Sequence, residues 1–248
     1  MKEFKITKND AGQRMDKFLT KAVPKLPKAL LYKYIRIKRI KLNGKRCEIS
    51  SRLCEGDVIE CYVSDEFFEA ENKRPEFMLA PSAIDVVYED ENILLINKAA
   101  GLLVHEGNDW CADTLIARIQ HYLYRKKEYD PAAENSFVPA LCNRIDRNTC
   151  GIVIAAKNAA TLRVLNDKIK ERELEKKYLC VVKGTPKRKS GVLEHFILKN
   201  EKTNTVEALA APAPGAKTAK TKYTVLTSHD GMSLVEAELL TGRTHQIR

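Results

Sequence analysis

Hydrophobic and polar positions along the chain change period several times, and each change predicts an element. Residues 1–9 read as an extended arm. Met15, Phe18, Leu19 and Val23 then fall at helical spacing ahead of Pro24, with Asp10 as the expected N-cap. A second helix is expected from about Pro27, turning Leu30, Leu31 and Tyr34 inward and Lys28, Lys33 and Arg36 outward. Ile40-Lys41-Leu42, the turn Asn43-Gly44 and the stretch Lys45–Ile49 predict a tight hairpin. Gly56-Asp57 is a further turn, leading into a strand over Val58–Val63.

The character changes over residues 64–82. Asp65, Glu66, Glu69 and Glu71 make an acidic stretch that ends in Pro75 and Pro81 without periodicity, which reads as a linker. Beyond it, Ile84–Tyr88 and Ile93–Lys98 flank the turn Glu89-Asp90-Glu91-Asn92 as a hairpin-like pair of strands. Thr114–Tyr124 has helical periodicity and Arg125–Ser136 is a polar loop. The apolar run Ile152-Val153-Ile154-Ala155-Ala156 predicts a buried strand. A helix is expected from about Asn158 to Glu171, with Leu162, Leu165 and Ile169 on its inner face, and a strand over Tyr178–Val182. Ala208–Lys220, rich in Ala, Pro and Gly, reads as a flexible surface loop. Tyr223–Thr227 and Leu234–Leu240 read as strands joined at Asp230-Gly231. Many strands with few helices argue for an α+β fold with a mixed, largely antiparallel sheet. The expected organisation is a small domain over 1–63, a linker over 64–82 and a larger domain over 83–248.

Composition adds little to this; charge adds more. Hydrophobic residues make up 44% of the 248 positions and charged residues 31%, an ordinary water-soluble balance. No run approaches the ~18 apolar residues of a membrane helix, and the N-terminus lacks the apolar stretch of a signal peptide. The seven cysteines carry no C-x-x-C spacing, so reduced thiols in a cytoplasmic protein are the simplest reading. The net charge is +10, and residues 1–63 hold 16 Lys and Arg against 7 Asp and Glu. From Lys17 to Cys47 there are eleven basic residues and no acid. Solvated helices usually mix signs, so this one-signed segment points to a nucleic-acid partner. Lys28, Lys33, Arg36, Lys38, Arg39, Lys41 and Lys45 are its candidate phosphate contacts.

The densest chemistry lies at Asn143-Arg144-Ile145-Asp146-Arg147-Asn148-Thr149-Cys150-Gly151, just before the apolar run. A carboxylate between two guanidinium groups is favoured in its charged form, so Asp146 is available as nucleophile or base. An Asp-Arg pair closing an ordinary turn is the bland alternative, and this loop alone leaves both open. The stretch resembles the H-R-L-D-x-x-T-S-G loop of the RluA family of RNA pseudouridine synthases. Asn97–His105 is similar to the family's N-K-P-x-G-x-x-V-H segment, Lys176–Gly184 to K-x-Y-x-x-x-V-x-G, and Thr241–Arg248 to T-G-R-T-H-Q-[IL]-R. Asn143, Cys150 and Ala99 depart from the usual His, Ser and Pro. Over residues 12–63, Arg14-Met15-Asp16-Lys17-Phe18-Leu19 and Leu42-Asn43-Gly44-Lys45 resemble the S4 RNA-binding domain, which the family often carries ahead of its catalytic domain.

The resemblance implies that Asp146 is the catalytic carboxylate, that Arg248 is its basic partner and that Tyr178 is the active-site aromatic. It implies that Arg144 intrudes where the extruded base had been, with Arg147 beside it. Large-subunit ribosomal RNA is the expected substrate, with transfer RNA as the alternative and a monomer as the working state. The family's catalytic domain runs on beyond the last motif, so a C-terminal part of that domain is expected to be missing. Pseudouridine formation involves no net redox change, and no cofactor is expected. The chain has no P-loop and no G-x-G-x-x-G after a strand. His105 and His245 lie 140 positions apart without a Cys/His cluster, so no metal is expected. Trp110, the sole Trp, is expected to pack rather than stack on a base. A non-catalytic RNA-binding or ribosome-assembly factor has no need for the Asp, Tyr and Arg set. A glycoside hydrolase would want a second acid in a matching loop.

Overall fold

The computed structural model describes residues 1–68, 75–107, 110–200 and 205–248. By its contacts the chain forms two units, Met1–Asp167 and Lys168–Arg248. The first unit opens with strand β1 (Lys2–Lys5), helices α1 (Met15–Ala22) and α2 (Lys28–Arg36), and strands β2 (Ile40–Leu42), β3 (Lys45–Arg46) and β4 (Val58–Cys61). The four strands form one antiparallel sheet in the order β1-β4-β2-β3.

The extended arm expected over residues 1–9 supplies a strand of this sheet. Lys2–Lys5 pairs with β4, and Phe4 is buried against Phe18 in a T-shaped contact. Asp10 does not cap α1 either; Arg14 holds the N-cap position, without a side-chain hydrogen bond. On α2 the buried residues are Leu31 and Ile35, while Leu30 and Tyr34 are only half-buried. The hairpin turn forms as the sequence predicts: Asn43 and Gly44 both take positive φ, at 52° and 71°. Met15, Phe18, Leu19, Leu31, Ile35, Ile40, Leu53 and Ile59 close the core of this part.

A second core follows in the same unit. Strands β5 (Val86–Glu89), β6 (Ile93–Lys98), β7 (Ala140–Leu141) and β8 (Gly151–Ala156) make an antiparallel sheet in the order β5-β6-β8-β7. Helix α3 (Leu115–Arg125) covers it, and the Thr114 hydroxyl caps the helix by accepting from the Ala117 amide. Leu115, Ile119 and Leu123 of α3 meet Leu94, Ile96, Val153 and Ala155 of the sheet. Ile152, expected to be buried, is instead exposed on the outer side of β8.

The stretch read as linker is structured at both of its described ends. A 3₁₀ turn at Glu76–Leu79 buries Phe77 in the second core, and the Ala80 carbonyl meets His121 Nδ1 at 2.7 Å. Glu69 and Glu71 lie outside the described residues. The polar loop after α3 is anchored as well. Asp10, fully buried, accepts from Ser136 Oγ at 2.6 Å, from Asn135 Nδ2 at 2.8 Å and from Thr7 Oγ1 at 2.8 Å. Asn9 bridges the Glu134 carboxylate and the Ala159 amide at the start of α4 (Ala159–Lys170). The two cores are thus joined through a desolvated polar seam.

The second unit is a five-stranded antiparallel sheet. It contains β9 (Lys177–Lys183), β10 (Ser190–Asn200), β11 (Thr205–Leu209), β12 (Lys217–His229) and β13 (Met232–Leu239), ordered β11-β10-β12-β13-β9. Asp230 and Gly231, at φ 47° and 70°, turn β12 into β13 as expected. Ala208–Lys220 is not one loop: its ends belong to β11 and β12, and β12 pairs with β10 from Lys217 onward. Leu162, Leu165 and Ile169 of α4 are only half-buried.

Candidate active site

The loop after β7 is held by its own polar groups and by a neighbouring loop. Asn143 stands where the sequence pattern usually has His, and its side chain acts as an extra rung on β8. Its Oδ1 accepts from the Ile154 amide at 2.8 Å and its Nδ2 donates to the Ile152 carbonyl at 3.2 Å. Asp146 occupies the first position of a turn closed when the Thr149 amide donates to the Asp146 carbonyl at 3.0 Å. Its side chain is half-buried. Ile145 anchors the turn from below by packing on the second core.

Lys98, at the end of β6, fixes the other side of this turn. The residue is 1% exposed, and its ammonium donates to the carbonyls of Ala99 (2.8 Å), Leu102 (2.9 Å) and Arg147 (2.9 Å). All three N–H groups of the ammonium are thereby used. Burial pushes the Lys98 ammonium below the usual lysine range, and the nearby Cys150 and Asp146 act in the opposite sense. Gly101 completes the clamp. Its amide donates to the Arg147 carbonyl at 2.9 Å, and Arg147 Nε returns a hydrogen bond to the Gly101 carbonyl at 3.0 Å. Gly101 sits at φ 88°, so a side chain there would be strained.

Arg144 is exposed and lies near enough to His105 for its charge to matter. Burial first, and the Arg144 guanidinium second, hold His105 below its ordinary value. Tyr178 and Arg248 belong to the second unit. Tyr178 is half-buried on β9, opposite Ala237 of β13. Arg248 follows a segment tied to β12 by Gln246. The Gln246 side chain accepts from the Arg243 amide (2.9 Å) and the Thr241 hydroxyl (3.0 Å), and donates to the Lys220 carbonyl (3.0 Å). Among the described residues, no group of three or more His, Cys, Asp or Glu is arranged to hold a metal ion.

The basic face of the first core carries Lys28, Lys33 and Arg36 on α2, Lys38 and Arg39 behind it, Lys41 on β2 and Lys45 on β3. All are exposed except Lys41, which is half-buried. Three of these cations lie over tyrosine rings: Lys28 over Tyr32 at 5.6 Å, Arg39 over Tyr34 at 5.8 Å and Lys41 over Tyr62 at 5.0 Å. Tyr32 and Tyr34 are half-buried against the first core and only Tyr62 is exposed, so this face offers its cations to phosphates above all.

Residues 92–248 match the family model described as RNA pseudouridylate synthase. The chain belongs to the RNA pseudouridylate synthase family. This synthase is 32% identical to an uncharacterized RNA pseudouridine synthase of Mycoplasma capricolum, over 100% of this chain and 80% of that protein. It is 30% identical to ribosomal large subunit pseudouridine synthase C of Escherichia coli, over 98% of this chain and 73% of the relative. The structure of human RNA pseudouridylate synthase domain containing 4 shares the fold, with a TM-score of 0.53 and 24% identity over 66% of this chain and 62% of that one. The synthase is accordingly an isomerase acting on RNA, and the α+β, antiparallel expectation agrees with the fold.

In the sequence, Lys98 stands only within the Asn97–His105 resemblance, without a role of its own. The available signal was a lysine ending an otherwise apolar strand just before Ala99-Ala100-Gly101, a place where its charge needs backbone partners.

Proposed function

We propose that the synthase converts specific uridines of large-subunit ribosomal RNA to pseudouridine, with Asp146 as the catalytic carboxylate. In that reaction the N1–C1′ bond of uridine breaks and a C5–C1′ bond forms. C5 gives up its proton, N1 gains one, and nothing else is consumed. The observation that carries this reading is the mounting of Asp146 on a turn pinned by Lys98 and Gly101, which fixes the backbone that presents the carboxylate before substrate arrives. Tyr178 is read as the aromatic that stacks on the flipped uracil, and Arg248 as the cation that stabilises the ionised carboxylate. Arg144, exposed at the loop's rim, is read as the residue that fills the place of the extruded base. Residues 1–63 are read as an S4-like RNA-binding module and 83–248 as the catalytic domain. The ribosomal assignment draws on the printed name of the Escherichia coli relative.

The test is Asp146→Asn on unmodified, transcribed large-subunit ribosomal RNA, with pseudouridines mapped by mass. The expected result is loss of at least 10³-fold in rate with RNA affinity within about threefold, since binding is spread over many phosphate contacts. A variant within tenfold of the parent rate would overturn the assignment.

A further inference from the structure

Trp110 contradicts the expectation that it packs: 69% of its surface is exposed, more than for any other large apolar residue among those described. It stands at the rim of an open groove of about 530 Å³, lined also by Glu76, His105, Glu106, Val138 and Pro139. The volume is in the range of small-molecule sites. His105 and Ala140 both line this groove, and Ala140 begins β7, which leads into the loop that carries Asp146. Gly101, four residues before His105, is hydrogen-bonded to Arg147 of that loop, so the groove borders it. The groove is thus placed to meet a nucleotide beside a uridine held at Asp146.

The chemistry of the lining narrows what fits. Glu76 and Glu106 are exposed carboxylates, which repel a phosphate and accept hydrogen bonds from amino groups. An exposed indole offers a flat platform on which any base can stack. Val138, 46% exposed, adds an apolar side wall. A sugar-phosphate backbone meets like charge here, whereas a base edge finds complementary acceptors.

We infer that this groove is a second nucleobase site. It takes an unpaired base bearing an exocyclic amino group, next to the target uridine, with Trp110 as its stacking platform and Glu106 as its acceptor. This rests on the reading of an RNA substrate given above. Its consequence is a sequence preference beside the modified position: adenine, cytosine or guanine, each with an exocyclic amino group, is favoured over uracil.

Trp110 is the sole Trp of the chain, so its fluorescence reports on this groove alone. The whole chain is titrated with nine-nucleotide oligoadenylate, oligocytidylate and oligouridylate carrying a 5′ fluorescein, and binding is read separately by anisotropy. The expected result is quenching that tracks binding, at least twofold deeper with the adenine and cytosine oligomers than with uracil. Trp110→Ala should weaken binding of the first two by about 5- to 100-fold, and Trp110→Phe should restore most of it. On transcribed ribosomal RNA, Trp110→Ala should raise KM while kcat stays within about twofold. Binding by anisotropy without quenching overturns the inference, as does equal quenching by all three oligomers. A wild-type protein that binds and quenches as described but modifies no ribosomal RNA leaves the inference standing and removes the substrate assignment instead.

Discussion

The buried ammonium of Lys98 and the carbonyl of Arg147, 49 positions apart in sequence, meet at 2.9 Å one residue beyond the proposed catalytic Asp146. A lysine that ends a core strand thus sets the height and angle of a loop from another part of the chain.

Replacing Lys98 with Met should keep the strand's volume but remove all three hydrogen bonds. The carbonyls of Ala99, Leu102 and Arg147 would lose a charged donor, at a cost of about 2–3 kcal/mol. The expected outcome is a fall of at least tenfold in kcat with RNA affinity within threefold. Single-turnover rates beside filter binding check it. An unchanged kcat would mean that the turn keeps its shape without the clamp.

Asp10 has no water to fall back on. Its carboxylate serves Ser136, Asn135 and Thr7 in a fully buried position, so Asp10→Ala strands several donors at once. A loss of about 3 kcal/mol or more is expected, seen as a drop of roughly 6–12 °C in melting temperature. A change below about 2 °C would show that the seam between the two cores contributes little.

Glu134, in the same seam, is a cost rather than a support. Burial and the charge of Asp10 raise its carboxyl above the usual range, against the lowering effect of Asn9, and its Oε2 lacks a hydrogen-bond partner. Glu134→Gln removes the charge and keeps the Asn9 contact, so stability at pH 8 should rise. The advantage should shrink on acidification, because Glu134 itself becomes neutral there. Urea melts of both proteins at pH 8 and pH 5 decide it.

Glu89 behaves in the opposite way. Burial alone would raise its carboxyl, but hydrogen bonds from Lys126, Tyr122 and Lys157 outweigh it and hold the group at about 2, against 4.5 for a free Glu. A carboxylate lowered on folding contributes stability in full above about pH 4.5 and loses it as pH falls toward 2. The parent should lose on the order of 2 kcal/mol through this group between pH 6 and pH 2.5. Glu89→Gln should lack that part of the acid limb, as denaturant melts across the range would reveal. Equal slopes for the two proteins would count against the network around Lys157.

The basic face makes a salt prediction. Replacing Lys33, Arg36 and Arg39 by Gln should lower affinity for structured RNA at least tenfold at low salt. The slope of log affinity against log salt should flatten by about 2–3, from roughly 0.7–0.9 per phosphate contact. Once RNA is saturating, kcat should be unchanged. An unaltered slope would move the RNA anchor elsewhere.

Much of the local structure was legible in the residues. Asn43-Gly44 and Asp230-Gly231 turn where turn chemistry puts them, because positive φ is a property of one or two residues and needs no distant partner. Helices α1, α2 and α3 follow from apolar spacing and from stops or caps such as Pro24 and Thr114. The family, too, was readable, since its motifs are short runs of the chain. What pairing and burial create was not. Residues 190–200, where the apolar pattern predicts no element, become the long strand β10 because β12 lies beside them. Lys2–Lys5 becomes a strand because β4 offers it an edge. Whether Asp10 caps a helix or is buried under Ser136, and whether Trp110 packs or faces water, depends on side chains more than a hundred positions away or on a groove formed between loops. Desolvation decides the role of Lys98 in the same way, for the partners of a buried charge are chosen by where the chain folds back and not by what stands next to it in sequence.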